Sequence, residues 1–480
     1  MMSTSEEEKL VWLANHENVD ELWQWILTEK KKAMDDPTTI SNIPPTLYLG
    51  RDTRSHSEGF RNAMVPMAQA LGAQVVDLGV VTTPILHHSV LHANYIRYLP
   101  KTLIPHRPKV AGYMDLLAYS YVSLLQTHTK KQSSSSVSTT RTLLVDCACG
   151  VGYPALEALL NRVNAIEPGI RDIQPTNGPG MGPLNDKCGS EHVQKGICPP
   201  RWYESTATLT AKSYCASFDG DADRIVFFDN SSEKDFLLFD GDKITCLLCG
   251  FIQEQLKVIQ GAPNFPNLKL GVVQTAYANG ASTAFLEKML GKEAVCIAKT
   301  GVKHLHAATH EHFDVGIYFE ANGHGTVLFG PEFYRAVDIA QQNYLFTAHH
   351  GQEKDVAACT AIQRLSLLPS LVNQAVGDAL SDLLLVDVIL SLNNWSLRDW
   401  HNLYQDCKTS QGMDEWQSPL LYLLLSHISL CCFLTIDFQT PVARSRCVSR
   451  IAPLFKRTKT KPNVFPLRMY KKSSTRPCKK

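Results

Sequence analysis

The sequence predicts an α/β fold built from consecutive, similar α/β domains. Three segments support this prediction, because each opens with a short apolar strand pattern that leads through a glycine turn into a helix pattern. The length of 480 residues allows three or four domains of ordinary size. The chain is 44% hydrophobic and 19% charged, as expected for a protein that folds around apolar cores.

The first α/β unit is PTLYLGRDTRSHSEGFRNAMVPMAQALGAQVVDLG. Residues 47–49 form its predicted first strand, a helix follows to about residue 71, and AQVVDLG forms the next strand. This order of elements makes a βαβ unit. TLLVDCACGVGYPALEALL opens the second unit, and LKLGVVQTAYANGASTAFLEKML opens the third.

These units define the predicted domains. The polar run THTKKQSSSSVSTTR predicts a linker or loop, and the sequence changes character again near residue 408, where an apolar run and a basic, proline-punctuated tail follow. We assign a partial first domain at 1–126, a linker at 127–141, a second domain with a candidate metal loop at 142–258, a third domain with a candidate sugar loop at 259–407, and a tail at 408–480.

The net charge, the N-terminal segment and the cysteines indicate what the protein binds and where it is located. A net charge of +1 gives no overall attraction to nucleic acid, and nothing in the sequence identifies a protein partner. The N-terminal segment lacks the apolar core of a signal peptide, and the 14 scattered cysteines indicate reduced thiols, so we expect a cytoplasmic protein. Residues 418–438 approach the length of a membrane span, but we expect a buried segment, or sequence outside any folded domain, and no membrane association.

The stretch SFDGDADRIVFF is the strongest candidate site. It places Asp219, Asp221 and Asp223 on alternate residues before an apolar strand, and such oxygen ligands suit magnesium or calcium. An EF-hand is excluded, because Arg224 and Asn230 occupy the positions where that loop needs Gly and Glu. Magnesium acting on a substrate phosphate fits better, with Arg224 as a second phosphate ligand, while an acidic surface turn is the alternative.

Two further stretches carry candidate ligand-binding residues. In GIYFEANGHGTVLF, Glu320 and Asn322 offer a carboxylate and an amide for vicinal hydroxyls, although a sharp turn with an internally bonded Asn is the alternative. In AKTGVKHLHAATHEHF, Lys303 and His304 are candidate phosphate or sugar contacts after a glycine turn. A zinc site at the histidines of this stretch is conceivable, but no Glu or Cys completes a ligand set at familiar spacing.

Several motifs together resemble those of the α-D-phosphohexomutase superfamily. GRDTR, VVTTP, DGDADR, KTGVKHLH and FEANGHG occur in that family's order, and the resemblance covers about residues 47–407. FEANGHG is similar to the loop of the phosphoacetylglucosamine mutase branch. The resemblance implies several similar α/β domains around one centre. It also implies interconversion of N-acetylglucosamine 6-phosphate and N-acetylglucosamine 1-phosphate, through a phosphoserine and a bisphosphate, on the route to UDP-N-acetylglucosamine.

The same resemblance implies the ligands of the site. Magnesium is the expected cofactor, and amino-sugar phosphates are the expected partners. The magnesium ligands would be Asp219, Asp221 and Asp223. The residues that bind the sugar phosphate would be Glu320, Ala321, Asn322, Lys303, His304 and Arg224.

Two motifs of that family have no match in this sequence. One is the T-A-S-H-N-P loop that carries the phosphoserine, so no catalytic residue is identified, and the other is the R-P-S-G-T-E-D phosphate loop. We therefore expect the first domain to be incomplete, the fourth domain to be absent or replaced, and the mutase activity of this chain to be little or none. A non-catalytic isoform that binds sugar phosphate or regulates the full enzyme is the alternative function.

Overall fold

A computed structural model describes residues 45–98, 112–128, 142–205, 214–232, 235–347, 353–407 and 432–436. Two compact units are distinguished within the chain. One contains, of the described residues, only Pro45 and 69–74, and the other contains the rest between Thr46 and Ile436. All the candidate site residues belong to the second unit. Most of the tail assigned to 408–480 lies outside the described residues.

The first sheet has three strands in the order β12-β1-β2. Strand β12 runs antiparallel to β1, with Leu47 opposite Ile436. Part of the apolar run at 418–438 is therefore a β-strand, and the rest of that run lies outside the described residues. No helix within the described ranges is long and apolar enough to cross a membrane. The elements of this region are β1 (Thr46–Arg51), α1 (Ser57–Ala70), β2 (Gln74–Val80), α2 (Thr83–Tyr98) and β12 (Cys432–Ile436).

The second sheet has five strands in the order β4-β3-β5-β6-β7. Strand β3 runs parallel to β4 and β5, whereas β6 runs antiparallel to β5 with Ser217 opposite Val226. The acidic loop, residues 219–224, is the connection between β5 and β6. The elements are α3 (Tyr113–Gln126), β3 (Thr142–Asp146), α4 (Gly152–Ile166), β4 (Asp172–Thr176), α5 (Ser190–Gly196), β5 (Tyr214–Phe218), β6 (Ile225–Ser232) and β7 (Asp235–Phe239).

The third sheet repeats this plan with four strands in the order β11-β10-β8-β9. Strand β8 runs parallel to β9 and β10, and β11 runs antiparallel to β10 with Val315 opposite Phe329. The EANGH loop, residues 320–324, is the connection between β10 and β11. The elements are α6 (Gly241–Ile259), β8 (Leu270–Thr275), α7 (Gly280–Leu290), β9 (Val295–Ala298), α8 (Val302–His312), β10 (Val315–Phe319) and β11 (Gly325–Phe329).

The predicted fold class is confirmed, because mixed α/β units follow one another along the chain. The two candidate loops occupy equivalent places, since each joins a buried parallel strand to an antiparallel neighbour. The two loops are about 100 residues apart in sequence and lie at equivalent ends of their sheets. The domain bounds of the sequence assignment stay a prediction.

In the described part of the chain, four helices follow the third sheet. One of them, α11 (Ala379–Leu392), is mostly apolar, and all its residues from Ala379 to Leu390 are buried. Its Asp387 accepts hydrogen bonds from the hydroxyls of Tyr121 and Tyr214, both at 2.6 Å, and pairs with Arg171 at 3.0 Å. A buried carboxylate is tolerated because its oxygens are satisfied. The helices are α9 (Pro331–Thr347), α10 (Glu353–Leu371), α11 (Ala379–Leu392) and α12 (Leu397–His401).

Candidate functional site

The acidic loop is a compact turn held by its own backbone. Asp219 Oδ1 accepts hydrogen bonds from the backbone N–H groups of Asp223 (3.0 Å) and Arg224 (3.2 Å). Ala222 has a φ of 58°, in the left-handed region, and its N–H donates to the carbonyl of Asp219 at 3.2 Å. This folding back of the chain is what turns the alternate aspartates toward one another rather than to opposite faces.

The three aspartates of this loop form a tight cluster. One carboxylate oxygen from each of Asp219, Asp221 and Asp223 lies within 4.8 Å of the other two. Burial, with repulsion from Asp223 and Asp221, raises the pKa of Asp219 well above its ordinary value. Burial, with repulsion from Asp221, raises the pKa of Asp223 to about 8. The cluster is therefore unfavourable when all three groups carry charge, unless a cation offsets the repulsion.

The residues of the cluster fit a divalent cation. Asp223 Oδ1 is buried and lacks a hydrogen-bond partner within the described part of the chain, so it is available as a ligand. Carboxylate oxygens are the donors that magnesium prefers, usually together with a substrate phosphate. In the described residues, Asp219, Asp221 and Asp223 form the one group of three or more potential metal ligands.

Arg224 brings a positive charge to the edge of the cluster. Its Nε lies 3.6 Å from Asp223 Oδ1 and 3.8 Å from Asp219 Oδ2, which is beyond hydrogen-bond distance. The same Nε lacks a hydrogen-bond partner among the described residues. The guanidinium therefore keeps donors for an anionic ligand while it pairs loosely with the carboxylates.

The EANGH loop is a second closed turn. Glu320 N–H donates to the carbonyl of His324 at 2.9 Å, and Gly323 N–H donates to the carbonyl of Glu320 at 2.9 Å. Gly323 has a φ of 87°, a conformation that favours glycine. Asn322 Oδ1 accepts the His324 N–H at 3.0 Å, while Asn322 Nδ2 lies 3.5 Å from Glu320 Oε2. The alternative of an internally bonded Asn thus holds for Oδ1, which is bonded within the loop. It does not hold fully for Nδ2, which makes only the 3.5 Å contact and keeps a donor for a ligand.

The third predicted stretch lies beside the EANGH loop. The Gly301 N–H donates to Glu320 Oε1 at 3.1 Å, so the turn before α8 abuts the carboxylate. Lys303 and His304 lie in the first turn of α8 and are exposed. The helix N-terminus and a lysine on its surface make this edge electropositive, as a phosphate would require.

The acidic loop and the EANGH loop are in direct contact. Ile225 N–H donates to the carbonyl of Gly323 at 3.2 Å, and His324 Nδ1 lies 3.2 Å from Asp223 Oδ2. A Cβ on Gly323 would lie 1.8 Å from the carbonyl oxygen of Ile225, so no other residue allows this approach. The structure therefore brings together the predicted metal ligands and the predicted sugar-binding residues.

The first α/β unit also reaches the acidic loop. Thr83, in the VVTTP motif, donates from its backbone N–H to the carbonyl of Asp221 at 3.2 Å. Its hydroxyl donates to Asp221 Oδ2. Asp221 is consequently held by a residue 138 positions earlier in the chain, and its carboxylate is oriented by the first helix turn of α2.

Comparison with known proteins identifies this arrangement. The family model "Phosphoacetylglucosamine mutase AMG1, domain III" matches residues 240–395, and "Phosphoglucomutase/phosphomannomutase, alpha/beta/alpha domain I" matches residues 37–98. Phosphoacetylglucosamine mutase from Homo sapiens is 36% identical over 413 residues, which are 86% of this chain and 68% of the human protein. The Oryza sativa protein of the same name is 38% identical over 83% of this chain and 67% of its own length.

The chain belongs to the phosphoacetylglucosamine mutase family. It spans about two thirds of the length of these curated relatives. A solved structure of Aspergillus fumigatus N-acetylphosphoglucosamine mutase in complex with GlcNAc-6P and magnesium has a TM-score of 0.64 to this chain. The two chains share 29% sequence identity, and the match covers 88% of this chain and 84% of the other.

Three features of this member of the phosphoacetylglucosamine mutase family were missed by sequence reasoning. Thr83 lies in a motif used only to establish the family resemblance, and His324 lies in the predicted sugar loop but was given no role there. No local signal showed that they would touch Asp221 and Asp223. The third is a second copy of the tetrapeptide FDGD, at 239–242, which supports the EANGH loop. Its Gly241 N–H donates to the carbonyl of Ala321 at 3.3 Å. The repeated tetrapeptide was a visible signal, because its first copy had already been singled out.

Other ligand candidates have structural explanations. Cys246 and Cys249 are buried, free thiols on α6. His306 Nδ1 lies 3.0 Å from the Tyr318 hydroxyl, so it is not part of a metal cluster with His310 among the described residues.

Proposed function

We propose that this chain carries the site of a phosphoacetylglucosamine mutase, which interconverts N-acetylglucosamine 6-phosphate and N-acetylglucosamine 1-phosphate. A donor phosphoryl group enters at the free hydroxyl to give a sugar bisphosphate, and the phosphoryl group at the other position returns to the donor. The substrate and product therefore have the same composition, and the net reaction is an isomerisation. The proposed ligands of the chain are magnesium and amino-sugar phosphates, and the proposed location is the cytoplasm.

One observation carries this proposal. The cluster of Asp219, Asp221 and Asp223 is joined to the EANGH loop by the 3.2 Å contact between Asp223 and His324. A cation site and a site for sugar hydroxyls within one network of hydrogen bonds are what phosphoryl transfer on a sugar requires. The magnesium and GlcNAc-6P present together in the Aspergillus fumigatus relative support the same assignment.

Each residue has a separate proposed part. Glu320 would accept hydrogen bonds from sugar hydroxyls, and Asn322 would donate from its Nδ2. Arg224, Lys303 and His304 would donate to phosphate oxygens. When magnesium is bound, it supplies positive charge that offsets the carboxylates and stabilises a phosphoryl oxygen.

Titration calorimetry on the full chain tests the binding part of the proposal. Magnesium should bind, and N-acetylglucosamine 6-phosphate should then bind with higher affinity than glucose 6-phosphate. Glu320→Gln should weaken sugar-phosphate binding and leave magnesium binding intact, because it alters only the acceptor for hydroxyls. Absence of sugar-phosphate binding at millimolar ligand with magnesium present would refute the proposal.

Phosphorus NMR tests the catalytic part. The purified chain is incubated with N-acetylglucosamine 6-phosphate, magnesium and a trace of the corresponding sugar bisphosphate, and the 1-phosphate signal is followed. The expectation that this chain has little activity of its own stays a prediction, and binding without turnover would meet it. Turnover by the chain alone, abolished in Asp221→Asn, would contradict that expectation and establish full mutase activity.

A further inference from the structure

His324 lies between the acidic loop and the EANGH loop. Its side chain is 8% exposed, and its Nδ1 is 3.2 Å from Asp223 Oδ2. The ring is packed tightly on the other side, because a Cβ on Gly377 would lie only 2.7 Å from its Cδ2. The imidazole is therefore held between Asp223 and the backbone at Gly377.

The backbone of the same residue closes the EANGH loop. His324 N–H donates to Asn322 Oδ1 at 3.0 Å, and its carbonyl accepts the Glu320 N–H at 2.9 Å. One residue thus lies against Asp223 with its side chain, while its backbone bonds the Asn322 side chain and the Glu320 backbone. A shift of His324 therefore reaches the two proposed sugar-binding residues through these hydrogen bonds.

A backbone contact beside His324 fixes where the two loops meet. Ile225 N–H donates to the carbonyl of Gly323 at 3.2 Å, and the Gly323 Cα lies against the Ile225 carbonyl with no space for a Cβ. Ile225 follows the acidic loop directly, and Gly323 directly precedes His324. The contact between His324 and Asp223 is therefore a side-chain link between the loops beside a close backbone junction.

We propose that His324 is a positioning residue that couples the cation of the acidic loop to the sugar of the EANGH loop. The inference rests on the proposed function and adds to it a reciprocal effect. A cation bound by the acidic loop orients Asp223, and Asp223 orients Glu320 and Asn322 through His324. Since coupling between sites is reciprocal, the sugar phosphate strengthens cation binding by the same factor as the cation strengthens sugar-phosphate binding.

Calorimetry on the full chain measures the coupling directly. Magnesium is titrated with and without N-acetylglucosamine 6-phosphate, and the sugar phosphate is titrated with and without magnesium. In the native chain each ligand should strengthen the other by about 5- to 150-fold. Equal factors in both directions are required, and the absence of any coupling overturns the inference.

Variants separate His324 from a direct contact between phosphate and metal. In His324→Leu both ligands should still bind, but most of the coupling factor should be lost, because the ring donor beside Asp223 is gone. Coupling that came instead from a direct contact between phosphate and metal would persist in this variant. His324→Asn keeps a donor near the Nδ1 position and should restore much of the factor. His324→Gln places its amide donor one bond farther from the backbone and should not restore the coupling factor. The comparison of the Asn and Gln variants is a second test if the leucine variant does not fold.

Thr83→Val is the matched control. It removes the hydroxyl that bonds Asp221 but leaves the contact between Asp223 and His324, so magnesium binding should weaken while the coupling factor stays. Coupling that survives in His324→Leu, with both ligands bound, overturns the role of His324 and leaves the proposed function standing. Failure of the native chain to bind either ligand overturns the proposed function itself, and the coupling with it.

Discussion

The tetrapeptide FDGD occurs twice, at 218–221 and at 239–242, and the two copies have different structures. In the first copy, Asp219 and Asp221 belong to a turn between two strands, and their carboxylates face a third aspartate. In the second copy, Asp240 is the N-cap of α6 and accepts from the N–H groups of Asp242 and Lys243. Identical residues thus form a candidate cation site in one place and a helix start in the other.

The difference lies in where the carboxylate oxygens find partners. Asp242 Oδ2 accepts the Asn279 N–H at 2.7 Å, and Asp242 Oδ1 lies 3.3 Å from Gln274 Nε2. In the first copy, Asp219 Oδ1 accepts two backbone N–H groups and Asp221 Oδ2 accepts the Thr83 hydroxyl. Both carboxylates also face Asp223, just after the copy, whose buried Oδ1 lacks a hydrogen-bond partner in the described residues. The first copy is therefore a metal candidate because its loop holds three carboxylates together and leaves one oxygen unsatisfied.

The residues that follow each copy determine whether it forms a turn or a helix start. ADRIVFF continues into the buried strand β6, so the first copy must turn sharply back. KITCLLCGF continues into α6, whose orphan N–H groups attract the aspartate that precedes them. Both outcomes serve the same site, because Gly241 of the second copy supports Ala321 of the EANGH loop.

The largest expected difference between the copies is in magnesium affinity. Asp221→Asn should lower the magnesium affinity by more than about 100-fold, because a charged ligand is lost. This exceeds the usual cost of removing a residue that only orients a ligand. The equivalent change Asp242→Asn should leave the affinity unchanged, since its oxygens are used within the protein. Calorimetry on both variants measures this, and equal losses would show that the comparison is wrong.

The glycine of the second copy, Gly241, provides the next test. A Cβ on Gly241 would lie 1.9 Å from the Glu320 carbonyl oxygen, so Gly241→Ala should displace the EANGH loop and weaken sugar-phosphate binding. We expect a loss of stability of about 1–3 kcal/mol from the overpacking. The control is Gly250→Ala in the same helix, where nothing lies within 4 Å of the added Cβ. That change should stabilise the helix, and chemical denaturation compares the two.

The second copy also predicts a pH dependence of stability. Burial, with repulsion from Asp242, raises the pKa of Asp240 to about 7, while burial raises the pKa of Asp242 to about 6. The folded protein then holds protons that the unfolded chain releases near pH 4. These groups stabilise the fold fully below that pH, and the contribution is lost as the pH rises toward 7.

Asp240→Asn isolates this contribution, because asparagine can still cap the helix but does not titrate. The difference in unfolding free energy between the native chain and this variant should fall between about pH 4 and pH 7. Denaturant titrations at several pH values check this. A difference that is flat across the range would mean that Asp240 is ionised in the folded state at acidic pH.

The smallest expected effect is at the exposed side of the acidic loop. Glu191 lies 3.9 Å from Arg224 Nη1, and half of its side chain is exposed to solvent. Glu191→Gln should change the stability by less than about 1 kcal/mol, because exposed ion pairs are screened. Thermal unfolding measures this change, and a larger loss would indicate that Glu191 holds Arg224 in place.

The fold class and the family could be predicted from sequence, and both are confirmed. Strand and helix periodicity showed repeated α/β units, and the order of the long motifs gave the family. The aspartates were found because local spacing alone brings them together. Thr83 and His324 could not be found this way, because their role depends on contacts with residues that are 138 and 101 positions away.

The second FDGD copy shows a different limit. Its sequence carries the same local signal as the first, and only the following helix pattern distinguishes it. The site assignments stay predictions, because contacts within the protein do not show which side chains a ligand would touch. They concern the three aspartates, Arg224, Lys303, His304 and residues 320–322. The experiments on ligand binding above address these residues.

The buried carboxylate of Asp387 has a consequence for the time course of synthesis. Its hydroxyl partners Tyr121 and Tyr214 precede it by 266 and 173 residues. At ordinary translation rates, Tyr121 waits roughly 13 to 53 seconds for Asp387 to be made, given 266 residues at about 5–20 residues per second. The second sheet must therefore leave the ribosome with part of its core open. The nascent chain is most exposed to aggregation and proteases in the interval before α11 docks.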